Sequence, residues 1–273
     1  PRSRELTRKD LLKKHLTRAM AASARHAREF HIMPQTFVLP HEYTAFVAAT
    51  NIWIMKPVGL SRGRGIEVID DVSAVRYSDS VVVQRYVGRP LLLGGYKFDL
   101  RLYVLVTSFN PLEAFLYREG FARVSTRAYD VTAEGLRDRF VHLTNSSIQA
   151  TRDSPLLDGE LHETGGTKAS LTYLWARLRR ARVPVDRLWS DITALVVKAL
   201  VACEPGVPAQ PNAFELFGFD VLVDAALRPW LLEVNASPQM DRDHALDRRV
   251  KEALIRVCSA RRVVACSRRE RPS

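Results

Sequence analysis

Residues 228–240 read RPWLLEVNASPQM. Trp230, Leu231, Leu232 and Val234 have the character of a strand entering a core, yet Glu233 and Asn235 interrupt it two positions apart. The wider stretch from Ala213 to Ser237, AFELFGFDVLVDAALRPWLLEVNAS, has the form of a hairpin. With its turn centred between Ala226 and Leu227, Asp224 faces Pro229 and Asp220 falls directly opposite Glu233. Strand side chains alternate with period two, so Glu233 and Asn235 share one face and Asp220 joins them from the neighbouring strand. Crowded carboxylates repel unless a cation sits between them. Oxygen donors on adjacent strands suit Mg²⁺, which takes one or two carboxylates and completes its octahedron with water and phosphate oxygens. The alternative is that Glu233 pairs with an arginine and Asp220 caps a turn.

Two stretches further upstream supply charge of the opposite sign. In NIWIMKPVGLSRGRGIEVI, Lys56 ends a strand and is followed by a loop with Gly59, Gly63, Gly65, Arg62 and Arg64, then by another strand. Such a flap can close its amides and cations over phosphates, although it is not a Walker A loop and is also compatible with a solvated hairpin. In YKFDLRLYVLV, Lys97, Asp99 and Arg101 alternate with Phe98, Leu100, Leu102 and Val104. One face of that strand is apolar and the other charged. The next strand adds Arg118 and Arg123, and together these residues are expected to form a cationic wall facing the acidic hairpin.

The 273 residues, 47% of them hydrophobic, suffice for one large domain or two packed lobes. There is no apolar run of membrane-spanning length and no leader-like segment at the N-terminal end of the sequence. Three cysteines without a CxxC pair and seven histidines without metal-ligand spacing argue against a disulfide framework or a zinc site. The net charge of +11 is concentrated at the ends. Residues 1–31 carry nine Lys/Arg against three acids and residues 242–273 carry ten against four. Basic ends favour a polyanionic partner within roughly a Debye length, about 8–10 Å, or simply keep helix faces solvated. Nothing resembles an RNA-binding or zinc-finger signature, so no nucleic-acid partner is expected, and no membrane.

Residues 5–29 read as basic and helical, and HIMPQTFVLP as a Pro-punctuated extended linker. Short strands follow from Asn51, then helical segments around 167–182 and 190–203, the hairpin, and a last basic helix near 243–260. The order is that of an α+β chain with mostly antiparallel sheets.

Taken together, WIMKPVGLSRGRGI, VVQRYV, PLLLGGYKFDLRLYVLV, LYREGFARVS, VHLTNSSIQ, FELFGFDVLVD and LRPWLLEVNASP resemble, in order and across residues 51–240, the tubulin tyrosine ligase-like family, and its glutamate-adding branch more than its tyrosine-adding member. The resemblance implies an ATP-grasp fold over 51–240, with 1–50 a basic helix and linker leading in and 241–273 a basic C-terminal helix and tail. It implies that Lys56, Arg62, Gly63, Lys97, Asp99, Thr144 and Asn145 touch ATP, and that Gln84, Arg85, Tyr86 and Val87 form the adenine hinge. Asp220, Glu233 and Asn235 would bind Mg²⁺. Arg123, Ser147 and Lys168 would take the incoming amino acid, with Lys56, Lys97 and Arg123 supporting catalysis. Ala169 departs from the family pattern, which has an aromatic residue after the lysine. The family's N-terminal lobe is expected to be absent or shortened here.

The implied activity is ATP-dependent addition of glutamate to side-chain carboxylates of the acidic tubulin tails. Arg123 with Lys168 would hold the two carboxylates of free L-glutamate. The partners implied are tubulin and microtubules, and the location the cytoplasm and cytoskeleton, with the cilium or flagellar basal body as a further site. A glycylase, a non-catalytic microtubule-binding module of the same fold, and a small-molecule ATP-grasp ligase are the alternatives.

Overall fold

The period-two alternation after Tyr96 produces the longest strands of the protein, and everything else is arranged on them. The computed structural model describes residues 3–49, 51–58, 65–72, 75, 80–149, 163–208, 210 and 213–269. Strands β1 (Thr36–Leu39), β2 (Trp53–Pro57), β3 (Glu67–Ile69) and β4 (Val81–Arg85) form a small sheet in the order β1-β4-β2-β3. The large sheet runs β11-β10-β6-β7-β9-β8, with β5 (Leu92–Leu93) on β6. Its strands are β6 (Tyr96–Phe109), β7 (Leu112–Ala128), β8 (Thr164–Gly165), β9 (Lys168–Ser170), β10 (Glu215–Val223) and β11 (Pro229–Ala236). Every ladder is antiparallel, as the α+β reading requires.

On the large sheet, Phe98, Leu100, Leu102 and Val104 of β6 and Phe217, Phe219, Val221 and Val223 of β10 turn to one side and are buried. That side is covered by α8 (Leu171–Arg180) and α9 (Val185–Cys203), whose Leu174, Leu178, Leu188, Ile192, Leu195 and Val196 recur at helical spacing. Ser170 starts α8 by accepting a hydrogen bond from Tyr173 N at 2.9 Å. The small lobe has its own core, in which Trp53 meets Phe46 and Phe37 edge-on with centroids 5.3 and 5.5 Å apart. A third cluster, Tyr103, Phe121, Leu246, Val250 and Leu254, docks α10 (Ala245–Arg269) on the charged side of the large sheet.

The N-terminal part differs from the expected lead-in. Residues 5–29 form three helices, α1 (Arg4–Thr7), α2 (Lys9–Met20) and α3 (Ala24–Glu29), and Leu6, Leu12 and Leu16 are fully buried in the main core. Burying each such side chain contributes about 1.5–3 kcal/mol, so this segment is part of the folded unit. The Pro-punctuated stretch contributes β1, which pairs with β4. Beyond it lies α4 (Tyr43–Val47); α6 (Arg139–His142) and α7 (Ser146–Gln149) pack against β7, and α5 (Ala133–Arg137) against β3.

The hairpin register also differs at its turn. Val223, not Asp224, faces Pro229. Asp224 instead organises the loop, its Oδ1 accepting from Ala226 N at 2.9 Å and Arg228 N at 3.0 Å and its Oδ2 from Trp230 Nε1 at 2.9 Å. One extra residue, Leu232, then bulges between the Val221–Leu231 and Asp220–Glu233 pairs. The bulge restores the pairing of Asp220 with Glu233 and turns both Leu232 and Glu233 into the cleft between the sheets. Arg118 is exposed and takes no part in the cationic wall.

Candidate active site

A cleft between the two sheets is lined by Lys56, Gln84, Arg85, Tyr86, Val87, Lys97, Asp99, Arg123, Thr144, Asn145, Asp220 and Glu233. Twelve of the sequence-predicted site residues therefore converge. Ile54, Ile66, Leu143, Leu222 and Leu232 supply apolar walls, as a planar base would need. A larger cavity of about 850 Å³ opens behind the Arg85–Val87 segment, but its one acid, Asp224, is committed to the β10–β11 turn. The acids and buried lysines are therefore gathered in the smaller cleft.

Ladder register sets the charged floor. Asp99 lies opposite Arg123 across β6–β7, and Asp220 lies opposite Arg101 across β10–β6. Arg123 grips Asp99 with Nε–Oδ1 at 2.7 Å and Nη2–Oδ2 at 2.5 Å, and its Nη2 also donates to Asp220 Oδ2 at 2.8 Å. Arg101 closes the network with Nε–Oδ1 at 2.5 Å and Nη2–Oδ2 at 3.1 Å to Asp220. Burial by itself would raise the Asp220 carboxyl, but Arg101 and Arg123 hold it well below the usual carboxylate range. Asp220 is thus a permanent anion although only 2% exposed.

Two lysines face this floor. Lys56 donates to Gln84 Oε1 at 2.7 Å, and burial pushes its ammonium down to about 8 against the pull of Glu233, Asp220 and Asp99. Lys97 donates to Tyr86 Oη at 3.0 Å and to the His142 carbonyl at 2.9 Å, and burial pushes it down to about 7. An anion placed beside either lysine would restore its full charge. In the hinge, Arg85 N–H donates to Gln35 O and Tyr86 N–H to Ile52 O, while Val87 N–H has no backbone partner among the described residues.

Glu233 has a further partner, and the other predictions stand apart from the cleft lining or outside the described residues. Glu233 lies 3.0 Å from Lys9 of α2, a residue without any signal in the sequence. Asn235 projects its Nδ2 towards Glu233 Oε1 and Gly218 O, 3.4 Å from each. Ser147 is exposed on α7. Lys168 stands beside Arg123 in the ladder, but its ammonium is turned to the buried Asp247 of α10 at 3.0 Å. Arg62 and Gly63, with the rest of the 59–64 loop, lie outside the described residues. His142 was given no role from the sequence, although it lies within the quoted VHLTNSSIQ, and it lines the cleft. Among the described residues no group of three or more His, Cys, Asp or Glu is arranged to hold a metal, which leaves the set of two carboxylates and one amide.

Two antiparallel sheets enclosing a cleft of buried lysines, arginines and carboxylates define an ATP-grasp domain. The tubulin-tyrosine ligase family's sequence pattern matches residues 1–271, and the chain belongs to that family. It is 41% identical over 268 residues to human tubulin polyglutamylase TTLL5, an alignment covering 93% of this chain and 21% of the relative. It is likewise 41% identical over 266 residues to human probable tubulin polyglutamylase TTLL2, covering 93% and 44%, and 35% identical over 274 residues to mouse tubulin polyglutamylase TTLL7, covering 92% and 30%. The chain thus spans between about a fifth and just under half the length of these relatives.

Proposed function

We propose that this domain is the ligase core of a tubulin polyglutamylase, joining glutamate to side-chain carboxylates of acidic tubulin tails at the expense of ATP. The observation that carries the reading is the meeting, in one cleft, of Lys56, Lys97 and Arg123 with Asp220 and Glu233. In the reaction, an acceptor carboxylate attacks the γ-phosphorus and ADP leaves; the amine of glutamate then displaces phosphate from the acyl phosphate, giving an isopeptide. Lys56 and Lys97 bind and orient the phosphates, and the hinge 84–87 holds adenine through its backbone. Thr144, Asn145 and Asp99 complete the nucleotide contacts, and Arg62 and Gly63 are assigned to the phosphates. Such a site works by positioning and by offsetting charge as it develops.

Asp220, Glu233 and Asn235 fit Mg²⁺. All three offer oxygen, Asp220 is ionised throughout the useful pH range, and the ladder puts it opposite Glu233. When bound, the ion would neutralise negative charge on the transferred phosphoryl group. Arg123, Ser147 and Lys168 are assigned to the donor amino acid, and two cations favour glutamate over glycine. For Lys168 this requires its ammonium to serve donor and Asp247 together.

The acidic tails match the basic termini, where Arg248 and Arg256 of α10 are exposed while Lys9 and Lys13 are ion-paired. A cytoplasmic, cytoskeletal location follows from such a substrate, with the cilium as a further site. Among the described residues no helix is long and apolar enough to cross a membrane. Labelled glutamate, glycine and tyrosine, each supplied with Mg-ATP and microtubules, test the reading. Incorporation of glutamate supports it, glycine alone would make the chain a glycylase, and incorporation of none would leave a binding module.

A further inference from the structure

Behind Lys97 stand two buried side chains to which the ligase reading gives no side-chain task, Tyr86 and His142. Their hydrogen bonds fix one another's protons. His142 Nε2 lies 2.8 Å from the Gly135 carbonyl, which can only accept, so Nε2 carries the ring proton. In a neutral imidazole that leaves Nδ1 as an acceptor, and it lies 2.7 Å from Tyr86 Oη. The hydroxyl must therefore donate to His142, which leaves its lone pairs for the Lys97 ammonium at 3.0 Å. A second Lys97 N–H goes to the His142 carbonyl at 2.9 Å, leaving the third for the cleft that Lys97 lines.

The rings are held as firmly as the protons. Tyr86 and His142 meet edge-on, 5.3 Å apart at 89°, and the Lys97 ammonium lies 4.5 Å from the Tyr86 ring centroid. Burial, reinforced by the charge of Lys97, pushes the His142 imidazole down to about 4, consistent with a neutral ring. The other charged or titratable groups facing this set are Asp99 and Lys56 towards Lys97, Asp130 and Asp138 towards His142, and Tyr129 towards both His142 and the Tyr86 hydroxyl; Tyr129 donates its own proton to the Gly88 carbonyl at 2.9 Å. Asp99 is gripped at both oxygens by Arg123, so it does not fix the direction of the Lys97 ammonium.

We propose that Tyr86 and His142 are positioning residues: the Gly135 carbonyl sets the His142 tautomer, His142 Nδ1 orients the Tyr86 hydroxyl, and the hydroxyl oxygen aims Lys97 at a phosphate of the bound nucleotide. The inference rests on the reading of the cleft as a nucleotide site.

Tyr86→Phe is the informative variant, because it keeps the ring and both ring contacts while removing the hydroxyl. Two measurements on the whole chain test it. The first is the titration midpoint of Lys97, followed by its ε-carbon resonance in nucleotide-free protein and identified by its loss in Lys97→Met. The second is ATP affinity by calorimetry at pH 7.5, in the parent and in the Lys97→Met background. Tyr86→Phe is expected to lower the Lys97 midpoint and weaken ATP about tenfold, the scale of one charge-assisted hydrogen bond. In the Lys97→Met background it is expected to add nothing, since its effect passes through that ammonium. His142→Phe, which removes the acceptor for the hydroxyl, is expected to give the same pattern. An unmoved midpoint, or a tenfold loss that persists in Lys97→Met as a merely structural role would give, overturns the proposal. Failure of the parent chain to bind ATP overturns the nucleotide reading instead, while the midpoint still decides the Tyr86 contact.

Discussion

Asp220 stands directly opposite Glu233 in the β10–β11 ladder, and the single bulged residue Leu232 makes it so. The two carboxylates share that pairing but not their surroundings, and replacing each should have a different outcome.

Asp220→Asn removes the anion that Arg101 and Arg123 both grip. Breaking a buried charge network from one side typically costs about 3–5 kcal/mol, because the abandoned cations stay buried. Denaturant unfolding should register a loss of that order. Glu233→Gln, at a side chain that is only partly buried and whose ion pair is with Lys9, should unfold almost like the parent yet ligate about 10²-fold or more slowly. Ligation by Glu233→Gln at the parental rate would sink the Mg²⁺ assignment.

Stability should climb with pH across an unusually wide range. His142, Lys97 and Lys56 all have folded values below their unfolded ones, about 4, 7 and 8. For each, the unfolded chain binds more protons between the folded and unfolded values, so raising pH through that window favours the folded state. His142 acts between about 4 and 6.5, and the lysines take over from about 7 upward. Urea midpoints measured from pH 4 to 8.5 should therefore rise throughout, and saturating ATP should flatten the upper part by re-charging the lysines.

Leu12→Ala and Leu16→Ala should each cost about 2–5 kcal/mol, as deletions from a closed core do. Removing residues 1–31 should leave a chain without a cooperative unfolding transition. Cooperative unfolding of the truncated chain would show that the helices are an appendage.

If the proposed function holds, co-sedimentation with microtubules should weaken steeply between low and physiological salt, because exposed arginines such as Arg248 and Arg256 would meet the acidic tails where salt screens them. Tubulin stripped of its tails should bind weakly at every salt concentration.

The alternation of Lys97, Asp99 and Arg101 with apolar neighbours was legible because a strand's period leaves no other arrangement, and the sheet carries it as read. The Asp220–Glu233 pairing was legible for a partly mistaken reason. A regular ladder from the assumed turn and a bulged ladder from the real one place the same residues together. Nothing local in Leu231-Leu232 distinguishes a bulge from a regular strand. The partners of Lys9 and Lys168 are equally invisible, since Glu233 and Asp247 lie far along the chain. Residues 5–29 read only as basic and helical, because their many Lys and Arg mask the leucines Leu12 and Leu16 that close on the main core.

Arg101, Asp220, Arg123 and Asp99 form a quartet whose charges cancel, and the sheet can enclose it only as a whole. Replacing any one member leaves an odd charge in a largely buried setting. Lineages carrying this domain should accordingly keep the four residues together or surrender them together, and a homologue lacking one of them is the place to look for a catalyst turned scaffold.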